Sequence, residues 1–163
     1  MKQRAPVTIK IFVDKQQLVL LENGEGIRTY PVSTSRFGLG FKEGSRKTPT
    51  GRFRIAEKIG EDAPPATVFK GRKRVPMSPD HSPDDDLIVA RILWLDGLGK
   101  RNANTRSRYI YIHGTNHEDE IGQPKSNGCV RMKNADVIEL FDLVRVGTPI
   151  LISRTATREA RSE

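Results

Sequence analysis

A two-residue alternation of apolar and polar side chains, broken at short intervals by glycine and proline, constrains this chain more than any other feature. Val7, Ile9, Ile11 and Val13 alternate with Thr8, Lys10 and Phe12, which places one set of side chains on the better-buried face of a strand. Gln17 to Leu21 predicts a second strand. Asn23-Gly24 and Gly26 supply turn residues that tolerate positive φ, so Ile27 to Val32 returns as a third strand in a meander. The Pro49-Thr50-Gly51 turn leads into Arg52 to Ile55, again alternating, and further strands are expected at Leu87 to Leu95, Tyr109 to Ile112 and Pro149 to Ile152. Between Glu57 and Asp86 lie five of the ten prolines and the basic cluster Lys70, Arg72, Lys73 and Arg74. That composition is hostile to helix and predicts a long excursion with one short strand, suited to a semi-rigid lid over an anionic peptide.

Only one segment has helical character. Asn134 is the expected N-cap, Asp136 stands in the first turn where a negative charge suits the helix dipole, and Val137, Ile138, Phe141 and Val144 form an apolar stripe. Arg145 and Gly147 supply the cation and the glycine that close a helix. With 163 residues and no internal repeat, one compact domain over residues 1–153 is expected, followed by a polar tail at 154–163. No apolar run approaches the roughly 20 residues that span a bilayer, so no membrane insertion is expected. No signal-peptide pattern is visible at the start, which leads to an expected cytoplasmic location, or a periplasmic or cell-wall one for a chain trimmed of a leader.

A single cysteine, Cys129, excludes an intrachain disulfide and any all-cysteine zinc site. It lies in Ser126-Asn127-Gly128-Cys129-Val130-Arg131, sixteen residues after His113, which ends the predicted strand Tyr109 to Ile112 and opens a loop at Gly114. A free thiol has a pKa of about 8.5, so an imidazole within reach can take its proton and stabilise the thiolate. Gly128 allows a close approach of backbone to substrate, and its N–H with that of Cys129 can hold an oxyanion. Arg131 is suited to bidentate binding of a carboxylate.

Other chemistries compete for the same residues. His113, His117 and Cys129 with Glu118, Asp119 or Glu120 could form a zinc set, although paired metal-ligand spacings are missing. A chelator would stop such an enzyme and thiol alkylation would not. The net charge of +8 and the basic clusters at 70–74 and 100–108 allow a non-catalytic domain that binds nucleic acid or another anionic polymer. No nucleic-acid module or aromatic interleaving accompanies the clusters in the sequence, which favours a solvated face and no nucleic-acid partner. The glycines at 38–51 fit neither a P-loop nor a dinucleotide fingerprint, since Lys47 precedes the last glycine and position 43 is glutamate.

His113-Gly114-Thr115-Asn116, followed by Ser126-Asn127-Gly128-Cys129-Val130-Arg131-Met132, resembles the signature of the L,D-transpeptidase catalytic domain, also called the YkuD domain. Lys47-Thr48-Pro49-Thr50-Gly51-Arg52-Phe53, the opening pair Ile11-Phe12-Val13 and Gln16-Gln17-Leu18, and Tyr30 to Thr34 are also similar to that family, so the resemblance covers roughly residues 7–153. It implies a mainly β fold, a sandwich of mixed sheets with one main helix after the catalytic cysteine. It also implies roles: Cys129 as nucleophile, His113 as general base and later acid, and the Gly114 carbonyl as the group that orients the imidazole. The Gly128 and Cys129 N–H groups would form the oxyanion hole, with Arg131, Ser126 and Asn127 binding substrate and Arg131 alternatively bracing the site. Many members carry histidine where this chain has Asn127, so a second nearby histidine is missing. The implied substrate is a peptidoglycan-derived tetrapeptide or muropeptide, cleaved between its diamino acid and D-Ala with neither metal nor organic cofactor. Water as acceptor gives an L,D-carboxypeptidase suited to murein recycling, and an amine gives an L,D-transpeptidase that forms 3-3 cross-links. Carbapenems, which acylate this family, are the implied inhibitors.

Overall fold

In the computed structural model, which describes residues 6–76, 82 and 84–156, ten strands form one hydrogen-bonded sheet. In chain order they are β1 (Val7–Phe12), β2 (Gln17–Glu22), β3 (Glu25–Ser33), β4 (Gly51–Ile59), β5 (Val68–Lys70), β6 (Lys73–Val75), β7 (Ile88–Gly97), β8 (Tyr111–Thr115), β9 (Val130–Met132) and β10 (Pro149–Ser153). The order across the sheet is β4-β10-β1-β2-β3-β9-β8-β7-β5-β6, and an additional β4–β7 pairing closes the run from β4 to β7 into a ring. The expected mainly β fold with mixed pairing and a single helix is what the structure has. β1–β10 and β8–β9 are its parallel pairs.

Alternation decides which face is buried. Ile9 and Ile11 on β1 and Leu18 and Leu20 on β2 are completely buried, and Ile9 stands opposite Leu20 while Ile11 stands opposite Leu18. Val32, Phe53, Ile55, Leu95, Ile112, Val130 and Met132 complete this core from the other strands. β7 departs from strict alternation, with Val89 to Leu93 all buried. A strand covered on both faces has no wet side to alternate toward, and the helix α1 (Asn134–Leu143) packs against β7 and β8. The side chains of α1 that enter the core are Val137, Leu140 and Phe141, so Leu140 joins the predicted stripe while Ile138 stays half-buried.

Three local expectations change. The N-cap is Lys133, without a side-chain cap bond; the Asn134 side chain is committed elsewhere, accepting the Thr115 N–H at 2.8 Å. The excursion after Glu57 contains two short strands, β5 and β6, paired as a hairpin, while residues 77–81 and 83 of the expected lid lie outside the described residues. The strand predicted at Tyr109 to Ile112 runs instead from Tyr111 to Thr115. His113 is therefore the central residue of a buried strand, opposite Ile92 on one side and Arg131 on the other. Of the polar tail, residues 157–163 lie outside the described residues.

Candidate active site

The segment before β9 holds Cys129 in place through backbone contacts. Gly128 has φ +124°, a conformation that a side chain would strain. Its carbonyl accepts the Thr48 hydroxyl at 2.9 Å, and the fully buried Thr48 Oγ1 also accepts the Ser35 N–H at 3.0 Å. The Ser126 hydroxyl donates to the Cys129 carbonyl at 2.6 Å and accepts the Gly128 N–H at 3.2 Å. Ser126 is 1% exposed with its hydroxyl committed on both sides, which shapes the cysteine loop, and the Gly128 N–H is engaged by that hydroxyl.

Parallel pairing of β8 and β9 puts His113 and Cys129 on neighbouring segments. His113 stands opposite Arg131, two residues beyond Cys129, so the strand period places Tyr111, His113, Cys129 and Arg131 on one face. The Tyr111 N–H donates to Cys129 Sγ at 3.3 Å, and the thiol points to the Tyr109 carbonyl at 3.4 Å. Tyr109 turns this carbonyl inward from a left-handed backbone conformation, φ +58°.

His113 is 3% exposed, and its Nδ1 lies 2.5 Å from the Gly114 carbonyl oxygen. A carbonyl can only accept, so Nδ1 carries the proton and Nε2 keeps its lone pair. Gly114 must be glycine here, because a β-carbon would collide with the Asn134 side-chain oxygen and the Val89 carbonyl. Burial holds the imidazole below the usual histidine range, with the Gly114 contact and Asp86 opposing and Arg131 reinforcing. Burial also pushes the Cys129 thiol up to about 11; the Tyr111 N–H pulls it down, Asp86 raises it, and Arg131 and Arg108 lower it. Both shifts favour the uncharged forms, a protonated thiol and an unprotonated imidazole.

The two flanks of Cys129 differ. On one, Arg131 is 3% exposed and pairs with Asp86 at 3.0 Å and Glu120 at 2.9 Å, leaving its buried Nε without a partner. Its terminal nitrogens are thus already occupied by carboxylates, and bracing is the expected role that this geometry allows. Asn127 is exposed and donates to Asp86 at 3.2 Å. A cleft of about 700 Å³ opens here between Arg36, Asp84, Asp86, Asp119, Asn127 and Arg131. His117 lies on the same side, 3.6 Å from Glu120. Among the described residues, no group of three His, Cys, Asp or Glu side chains converges as a metal site.

On the other flank, Tyr111 packs edge-on to Trp94, and Trp94 stacks on Tyr109. Arg72, from the β5–β6 turn, donates to the Tyr111 hydroxyl at 3.1 Å and lies 4.8 Å from the Trp94 ring centre and 5.1 Å from that of Tyr109. Arg108 donates to the Lys47 carbonyl at 2.8 Å. The aromatic interleaving missing from the linear basic clusters is thus present in space, because Trp94 on β7 lies opposite Tyr111 on β8. Arg72, Tyr111, Trp94 and Asp86 are site residues that sequence reasoning missed.

The family model described as the L,D-transpeptidase catalytic domain, YkuD, matches residues 6–152. The putative L,D-transpeptidase YqjB of Bacillus subtilis is 44% identical over 72 residues, 44% of this chain and 38% of the relative. The putative L,D-transpeptidase YkuD of the same organism is 30% identical over 149 residues, 91% of this chain and 67% of the relative. Among solved structures, the L,D-transpeptidase (residues 123–326) from Xylanimonas cellulosilytica shares the fold with a TM-score of 0.59 at 21% identity, covering 94% of this chain and 63% of that one. The chain belongs to the L,D-transpeptidase catalytic-domain family and is an enzyme of that family. It spans between about two fifths and two thirds of the length of these relatives.

Proposed function

We propose that this domain cleaves the bond between the diamino acid and D-Ala of a peptidoglycan tetrapeptide stem through a thioester on Cys129. The reading rests on one observation: His113 and Cys129 lie on one face of the β8–β9 pair, with the His113 Nδ1 committed to the Gly114 carbonyl so that Nε2 is the nitrogen left to take a proton. As Sγ attacks the diamino-acid carbonyl, Nε2 takes the thiol proton and the Cys129 N–H holds the oxyanion. Collapse breaks the carbon–nitrogen bond, and the imidazolium gives its proton to the departing D-Ala amine. Water, activated by the same Nε2, then releases the tripeptide. This L,D-carboxypeptidase reading accords with the expected cytoplasmic location, where muropeptides returning from wall turnover would be trimmed. Fractionation of cells that express the native protein tests that location.

A second acceptor is favoured by the carboxylates of Asp84 and Asp119 in the cleft, which attract an ammonium group. An amine held there would give 3-3 cross-links. Incubation with a free tetrapeptide separates the two acceptors: D-Ala released without any acceptor amine supports hydrolysis, and release only with an amine supports cross-linking. The cysteine mechanism is tested by mass spectrometry after carbapenem treatment. A carbapenem adduct on Cys129 that is lost in Cys129→Ala is expected, and an unmodified wild-type thiol overturns the mechanism.

A further inference from the structure

The cations near Cys129 have different kinds of partner. Arg131 faces two carboxylates, Arg106 pairs with Glu57 at 2.9 Å while lying 5.0 Å from the Trp94 ring centre, and Arg108 donates to the Gly40 and Lys47 carbonyls. The first two charges are balanced within the protein by carboxylates. Arg72 has a different setting: its partners are a phenol oxygen and two aromatic faces. Among the described residues, no carboxylate lies within ion-pair distance of it. Such partners fix the plane of a guanidinium and restrict its rotamers, yet leave its full charge and several N–H donors for an incoming anion. The residue that Arg72 grips, Tyr111, is the one whose N–H bonds the Cys129 sulfur. The pre-oriented guanidinium is therefore one residue removed from the thiol, through Tyr111.

We propose that Arg72 is a specificity-determining residue that binds a carboxylate of the donor peptide while Cys129 attacks it. The assignment rests on the peptide-cleaving reading above and transfers to Arg72 the carboxylate-binding role expected of Arg131. Two carboxylates could supply the ligand: that of the terminal D-Ala, or one further up the stem.

The test compares wild type with Arg72→Gln and Arg72→Lys on three peptides: the tetrapeptide, its terminal carboxamide, and a version amidated at the internal carboxylate. On the tetrapeptide, Arg72→Gln should raise KM by about 10- to 100-fold with kcat little changed, as for losing a charge-assisted hydrogen bond, and Arg72→Lys should recover part of this. One of the two amidated peptides should bind wild type and Arg72→Gln equally, and which one it is identifies the carboxylate. An equal loss on all three peptides would show that Arg72 only supports Tyr111, and no loss on any would show that it is a solvated surface cation. Either result overturns the proposal. If wild type cleaves none of the peptides yet forms the carbapenem adduct, the donor reading has failed. A wild type that cleaves them with an Arg72→Gln variant that matches it throughout is a failure of the Arg72 assignment alone.

Discussion

The two flanks of Cys129 are both rich in arginine, and they use it in opposite ways. On the Arg131 flank the charge is buried and matched by Asp86 and Glu120, which fixes geometry and tunes the site. On the Arg72 flank the charge is framed by Trp94, Tyr109 and Tyr111, which fixes geometry without consuming charge. Arg131 is held by carboxylates, whereas Arg72 is held by aromatic side chains that leave its charge unmatched. Net charge alone cannot separate these roles.

The largest expected effect belongs to the residue between the flanks. His113→Ala should lower the rate of donor cleavage about 10²- to 10⁴-fold in steady-state assays, as expected for removing a general base. A loss below tenfold would mean that the thiol is activated by the Arg131 flank or by solvent.

A smaller effect separates the flanks by stability. Arg131→Met leaves Asp86 and Glu120 without their shared partner and should cost about 3 kcal/mol in urea unfolding, the low end for a broken buried pair because both carboxylates reach solvent. Arg72→Gln should leave the urea midpoint close to that of wild type in the same measurement. Equal losses would erase the distinction between the flanks.

The smallest effect is a pH shift. Asp86 raises the proton affinity of both His113 and Cys129, so Asp86→Asn lowers both. The imidazole works as a base only when neutral, and a lower pKa keeps it neutral to lower pH. The acid limb of kcat/KM should therefore move to lower pH in Asp86→Asn. A shift to higher pH would mean that Asp86 acts on the base only through Arg131.

Local patterns carried much of the fold. The alternation at Val7 to Val13, the Asn23-Gly24 turn and the stripe of α1 each lie within a few residues, and those elements stand where the sequence predicts them. The cysteine and its histidine were legible because both lie in short motifs flanked by glycine. What stayed hidden depends on pairings between distant segments. The β8–β9 ladder, which sets His113 opposite Arg131, joins strands separated by a loop and has no periodic trace in either. Likewise, Asn134 looks like a cap until the Thr115 N–H is seen to claim its side chain, and Arg72 looks solvated until the Trp94 and Tyr109 rings and the Tyr111 hydroxyl are seen to hold it.

Closure of the ring bears on how the chain reaches its working state. β1 pairs in parallel with β10, which also bridges β1 to β4, so the first of the described strands waits for the last. β9, directly after the thiol, joins β8 to β3 from the opening third of the chain. Contacts of such long sequence separation form late and slowly. His113 and Cys129 share the short-range β8–β9 pairing, but the other neighbour of β9 is β3, so the site becomes rigid only as the distant pairings close.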